Sequence, residues 1–229
     1  MPVTPHSALR SLHFRVNAQS ALTLIELLAV IAIIGILAAI LIPTVGKVRE
    51  SARKAKVRTQ LSQWAIAIET FRSEYGYYPD FRNVSGGKVN GGTFSATLSA
   101  PHFFHDVLGG RRRDGSSPAS PGSTDPLGQG NNRKRVVFVT IGPDEITAGG
   151  KIVDAFGNED IAVIVDTDYN GVIPASDITS ISVQAGSPVS GTSCSPPSAK
   201  VPTAGVRSGV VLFTAGPGKS ANDIVYSWQ

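Results

Sequence analysis

The chain has 229 residues, 41% hydrophobic, 7% aromatic and 17% charged, which allows one domain with a real core plus appendages and excludes a disordered chain. A single cysteine, Cys194, excludes an internal disulfide framework or a multi-cysteine zinc site, and four histidines leave little for a histidine-based metal centre. The net charge of +4 lies at the N-terminal end, since residues 1–80 carry 9 Lys/Arg against 5 Asp/Glu while 81–229 carry 12 against 12; no folded basic surface for nucleic acid is expected.

Residues 1–21 are polar and acid-free, with Arg10 and Arg15, as in the positively charged end of a targeting sequence. The uncharged stretch 27–45 has 19 residues, enough to cross about 30 Å of hydrocarbon as a helix. It is longer than a cleaved secretory signal and passes straight into a basic helix, so a cut after it is not expected. Glu26 stands at its start, where a charged group in lipid costs roughly 2–3 kcal/mol. Either the carboxyl sits neutral or among headgroups, or it meets a cation. The chain offers a cation there only if it is cut before Leu22, placing a new α-amine one helical turn away or beside the Glu26 of a neighbour. Gly35, Ala32, Ala38 and Ala39 allow close helix approach, and Pro43 is expected to bend or loosen the helix near the membrane edge.

Lys47, Arg49, Arg53, Lys54, Lys56 and Arg58 against Glu50 then form a basic collar suited to lipid headgroups. Val57, Leu61, Trp64, Ile68, Phe71 and Tyr75 recur at helical spacing, so one face of the continuing helix needs a sheet to cover it. Gly76 followed by Pro79 ends it.

The segment Ala21-Leu22-Thr23-Leu24-Ile25-Glu26, continuing as LLAVIAIIGILAAI, resembles the class III signal of type IV prepilins and type II secretion pseudopilins. That resemblance implies a cut between Ala21 and Leu22 by an inner-membrane prepilin peptidase, which also methylates the Leu22 amine; Ala21 stands where the family usually has Gly. Glu26 becomes the fifth residue and Pro43 the twenty-second, the family's usual kink. The implied partners are further copies of the chain, the peptidase, an inner-membrane assembly platform, minor pseudopilins and, before assembly, the bilayer. The implied location is the bacterial inner membrane in a single pass, with the head in the periplasm. Tyr75-Gly76-Tyr77-Tyr78-Pro79, Val153-Asp154-Ala155-Phe156-Gly157-Asn158 and the end, Ala215-Gly216-Pro217 with Asp223-Ile224-Val225-Tyr226-Ser227-Trp228, resemble segments of the major pseudopilin, the G protein of type II secretion.

In the head, 81–134 reads as loop-rich, and neither His102 with His105 and Asp106 nor the arginine runs 111–113 and 133–135 make a metal or nucleic-acid site at that spacing. Strands are expected at 135–141 (RVVFVTI), Ile161–Val165 and Val210–Thr214. Asp166, Asp168 and Asn170 with Gly171, the Val172 carbonyl and Asp177 match the spacing of an EF-hand calcium loop. The same spacing fits an Asx-turned hairpin that binds nothing, because position 12 is Asp rather than Glu and the flanks read as strand. In the G-type pseudopilins a calcium ion stabilises the C-terminal loop; here Gly218 stands where the acid is expected, leaving Asp223 as a ligand. The stretch 178–207 reads as an exposed insertion, with Cys194 a surface bystander.

The expected class is α+β, a long N-terminal helix on a small antiparallel sheet with long loops. The expected organisation is a leader 1–21, a membrane or filament-core half 22–45, an amphipathic half 46–78 and an exported head 79–229. With no nucleophile–base set and no phosphate loop, no enzyme is expected. The leading reading is a filament subunit; the other is an uncleaved, membrane-anchored calcium module that never polymerises, from which Glu26 is expected to distinguish it.

Overall fold

The structure is a computed structural model that describes residues 23–79, 81, 86–91, 98, 101–116, 131–187 and 189–228. The chain divides into two units, Met1–Gly46 and Lys47–Gln229. Helix α1, Leu24–Tyr75, has 52 residues. It is continuous through Pro43, so the proline does not end it. Its C-terminus falls where the glycine predicts: Gly76 takes φ +80°, open only to a residue without Cβ at little cost, and its N–H donates to Arg72 O at 2.7 Å.

The second unit is built on a three-stranded antiparallel sheet of β1 (Ile161–Val165), β2 (Val210–Thr214) and β3 (Val225–Tyr226), in the order β1-β2-β3. Ile161 pairs with Thr214 and Val165 with Val210, while Phe213 pairs with Tyr226. Every residue of all three strands is buried, which is why their sequences are unbroken apolar runs rather than alternations. The two faces serve two cores. Ile161, Val163, Val165, Val210, Leu212 and Val225 face the apolar stripe of α1, where Val57, Leu61, Trp64, Ile68 and Phe71 are all buried. Ala162, Ile164, Val211, Phe213 and Tyr226 pack instead on Ile173, Ile178, Val183, Cys194, Val201 and Val206.

That second core corrects the reading of 178–207 as an exposed insertion. Short helix α3, Ala175–Ser180, buries Ile178, and Val183 and Cys194 exchange backbone hydrogen bonds at 2.9 Å beneath a prolines-and-glycines surface. Cys194 is buried, not a surface residue. The loop-rich reading of 81–134 likewise missed helix α2, Phe103–Gly109, all of whose residues are buried; Phe104 meets Trp64 edge-on at 5.3 Å. The expected strand 135–141 pairs with no strand among the described residues, and Arg135 at its start takes φ +53°. Its Phe138 N–H donates to Leu108 O at 2.8 Å, and the free edge of β1 is held by residues 87–89, with Val89 N–H on Ile161 O and Val163 N–H on Gly87 O, both at 2.8 Å. β3, too short to show a pattern in sequence, takes the other edge.

Buried polar side chains tie these pieces together. Asp154 accepts from Phe156 N–H, Asn158 N–H, Asn158 Nδ2 and Thr214 Oγ1 at 2.8–2.9 Å, and Asn158 Nδ2 reaches Gly216 O at 2.7 Å. The Val153–Asn158 motif is thus a turn pinned to the end of β2. Burial pushes the Asp154 carboxyl up against the pull of those four donors. Asn132 accepts from Tyr75 Oη at 2.7 Å and donates to Val107 O and Val136 O at 2.7 and 2.8 Å, joining the end of α1 to α2. Trp64→Ala removes the largest side chain between α1, α2 and the sheet, and a loss of about 3–5 kcal/mol is expected in denaturant titration of the full chain in micelles. A loss below about 1 kcal/mol would mean that α1 is not packed on the sheet through this residue.

Candidate assembly site

The first turn of α1 is closed by its own side chains. Glu26 Oε2 accepts from the Thr23 N–H at 2.8 Å and from Thr23 Oγ1 at 2.9 Å, while Glu26 N–H lies 3.4 Å from Thr23 Oγ1. This is a capping box, T-x-x-E, satisfying orphan donors of the helix terminus and setting an acid near the positive end of its dipole. The spacing was legible in the sequence, and Thr23 is the residue that sequence reasoning passed over. The cap gives Glu26 a use in helix initiation that an uncleaved anchor shares, so the presence of Glu26 alone does not distinguish the two readings. The cap engages Oε2 alone, and among the described residues Oε1 accepts no hydrogen bond. Ala21, Leu22 and the leader 1–20 lie outside the described residues.

Beyond the cap, thirteen Leu, Ile and Val side chains from Leu24 to Ile42 are exposed, Leu24 by 79% and Ile42 by 73%. They lie on every side of the helix, so no amphipathic face is present; among the described residues α1 is the one helix long and apolar enough to cross a membrane. Burying such a side chain is worth about 1.5–3 kcal/mol, so a cover for all thirteen is worth roughly 20–40 kcal/mol. A Cβ built at Gly35 meets nothing within 4 Å, which leaves that face open to a close neighbour.

At the start of the second unit Lys47, Arg49, Arg53, Lys56 and Arg58 are exposed. Lys54 and Glu50 are more enclosed: Lys54 Nζ lies 3.2 Å from Glu50 and 3.5 Å from Asp223, and Lys219 Nζ 3.1 Å from Glu50. Hydrogen bonds from Lys219 and Lys54 hold the Glu50 carboxyl below its usual value. Lys56 Nζ lies 3.6 Å from Asp144, and the exposed Lys47, Arg49, Arg53 and Arg58 suit an anionic surface.

The six predicted calcium residues do not form one group. Asp166, at the end of β1, is 3% exposed; its Oδ2 accepts from Gly171 N–H at 2.7 Å, and its Oδ1 is buried without a hydrogen-bond partner. Asp168 and Asn170 are exposed on the same loop, with Asn170 Nδ2 on Asp168 Oδ2 at 2.6 Å and Val172 N–H on Asn170 Oδ1 at 2.7 Å. Asp177 sits in the first turn of α3. Asp223 is at the far end of the sheet, beside Gly216 after β2, and pairs with Lys54; the antiparallel register puts it opposite the start of β1, not the end that carries Asp166. Among the described residues no three His, Cys, Asp or Glu side chains gather as a metal-holding group. His102 and His105 are both buried, His102 as the N-cap residue of α2 and His105 within it, and the His102 ring caps the helix by accepting from His105 N–H. Burial, then the charges of Arg113 and His105, push the His102 imidazole down to about 3, a neutral structural ring.

Residues 16–42 match the prokaryotic N-terminal methylation motif. The chain is similar to the type IV major pilin protein PilA of Myxococcus xanthus (strain DK1622), 45% identical over 64 residues, 28% of this chain and 29% of that protein. The match therefore spans less than a third of the pilin's length. No solved structure matches. Neither match is to an enzyme family. Thr23→Ala removes the cap at a cost of about 1 kcal/mol, and amide exchange in the first turn of α1 in micelles is expected to quicken about fivefold. Unchanged exchange would show that the cap does not hold the helix start.

Proposed function

We propose that this chain, a type IV pilin-like protein by its N-terminal methylation motif, is the structural subunit of a type II secretion pseudopilus or of a closely related type IV filament. The observation that carries this reading is the exposed, all-round apolar half of α1 beginning at a capped Glu26. Such a helix is at rest in lipid, and it leaves lipid only into an equally apolar setting, which copies of itself provide.

In the precursor, residues 1–21 lie on the cytoplasmic side, the apolar half of α1 crosses the inner membrane, and the head stands in the periplasm. The collar from Lys47 to Arg58 rests on headgroups. Prepilin peptidase cuts between Ala21 and Leu22 and methylates the new amine. Thr23, now the second residue, keeps the capping box, and Glu26 Oε1 is left for a cation. As a subunit moves from the bilayer into the filament, the Leu22 amine of one copy meets Glu26 of the next, so two charges enter the apolar core as a pair instead of singly. Pro43 loosens the helix where it leaves the membrane. The assembly platform and minor pseudopilins supply the energy and the starting point. The secretion branch is favoured by Tyr75-Gly76-Tyr77-Tyr78-Pro79, by the pinned Val153–Asn158 turn and by the C-terminal segment, which are head features and not properties of the shared helix.

Intact-mass analysis of the protein from membranes tests the processing step. The expected chain begins at Leu22 with one added methyl group, and only in cells with an active prepilin peptidase. A chain that still begins at Met1 in such cells would contradict a filament subunit and leave a membrane anchor.

A further inference from the structure

We infer that the loop from Asp166 to Gly171 is a calcium site of its own, built on Asp166 Oδ1 and the Asp168 carboxylate and separate from the C-terminal loop. Two observations meet there. Asp166 is 97% buried by residue, and its Oδ1 has no hydrogen-bond partner although Oδ2 is satisfied by Gly171 N–H. A carboxylate oxygen taken out of water without a donor is costly, and a cation or a trapped water removes that cost. Asp168 follows two residues later, so two carboxylates share one short loop. Like charges at contact repel unless a cation stands between them.

The ligand chemistry selects calcium. The donors are hard oxygens on a short loop of irregular geometry, turned by Tyr169 at φ +59° and Gly171 at φ +80°. Ca²⁺ accepts six to eight such oxygens in flexible arrangements and fills the rest of its shell with carbonyls and water, whereas Mg²⁺ demands a near-ideal octahedron. Asp177 and Asp223 are not part of the site. The charge of Arg72 acts on Asp166, but its hydrogen bonding is directed elsewhere: its Nη1 donates to Tyr78 Oη at 2.8 Å, and its guanidinium lies over the rings of Tyr78 and Tyr169 at 4.8 and 5.3 Å. Tyr169 stacks on Tyr78 at 5.8 Å, and Asp166 N–H donates to Gly209 O at 2.9 Å, so the loop is fastened to both α1 and β2. Calcium bound here steadies that junction.

Terbium luminescence excited through the tyrosines, with Tyr169 inside the loop, reads the site in the full chain in detergent micelles, and competition with CaCl₂ gives the calcium affinity. The expected result is saturable binding of one ion with a Kd of about 10⁻⁴–10⁻³ M, as in extracellular calcium modules, and a rise in thermal midpoint with calcium. Asp168→Asn, at an exposed position that leaves the fold intact, is expected to weaken calcium at least about tenfold; Asp223→Asn is expected to leave it unchanged. Asp166→Asn abolishes binding where it folds. No saturable competition up to about 10 mM calcium would overturn the inference and assign a trapped water to Oδ1. So would loss of binding in Asp223→Asn with Asp168→Asn unaffected.

Discussion

Thirteen large apolar side chains between Leu24 and Ile42 have no cover among the described residues. At roughly 20–40 kcal/mol for burying them all, this exceeds the stability of an ordinary domain, about 5–15 kcal/mol. The segment therefore cannot stand in water, and its choices reduce to lipid or other apolar helices. A single acid at its first turn is tolerable only because the capping box gives it donors at the helix end, where the dipole also favours it. Cap and apolar helix together make an element that is stable in a bilayer as a helix and that still carries one carboxylate oxygen accepting no hydrogen bond among the described residues.

The head answers a different requirement. A two-residue β3 and two five-residue strands are too small to be stable alone, and the sheet is covered on both faces. The α1 stripe supplies one face and residues 173–206 the other, so removing either leaves half of a fully buried sheet in water. The apolar positions of α1 were legible at their 3–4 spacing because a helix on a sheet is half-buried. β1 and β2 were legible as β-branched runs bounded by glycine and acids.

What stayed hidden has a common cause. The second core is made by Ile173, Ile178, Val183, Cys194, Val201 and Val206, single apolar residues spaced irregularly among prolines and glycines, with no period to read. α2 is seven residues long, shorter than two helical turns, with polar His105 and Asp106 buried inside it. The segment 135–141 has strand composition, yet residues 87–89 take the edge of β1 and β3 takes the edge of β2. The site divided likewise. Glu26 stood out by its misfit in an apolar run, Thr23 did not because threonine near a helix start is common, and the separation of Asp223 from Asp166 depends on antiparallel register, which spacing along the chain does not encode.

The most direct test of the account separates the two roles of Glu26. Glu26→Gln keeps an oxygen for the Thr23 cap while removing the charge. The account predicts that the variant is processed at Leu22, folds and remains in the inner membrane at wild-type level, yet is absent from filaments sheared from cells and viewed by electron microscopy. Filaments containing Glu26→Gln at wild-type abundance would contradict the claim that assembly pairs this carboxylate with a neighbour's N-terminus, and would reduce Glu26 to a helix cap.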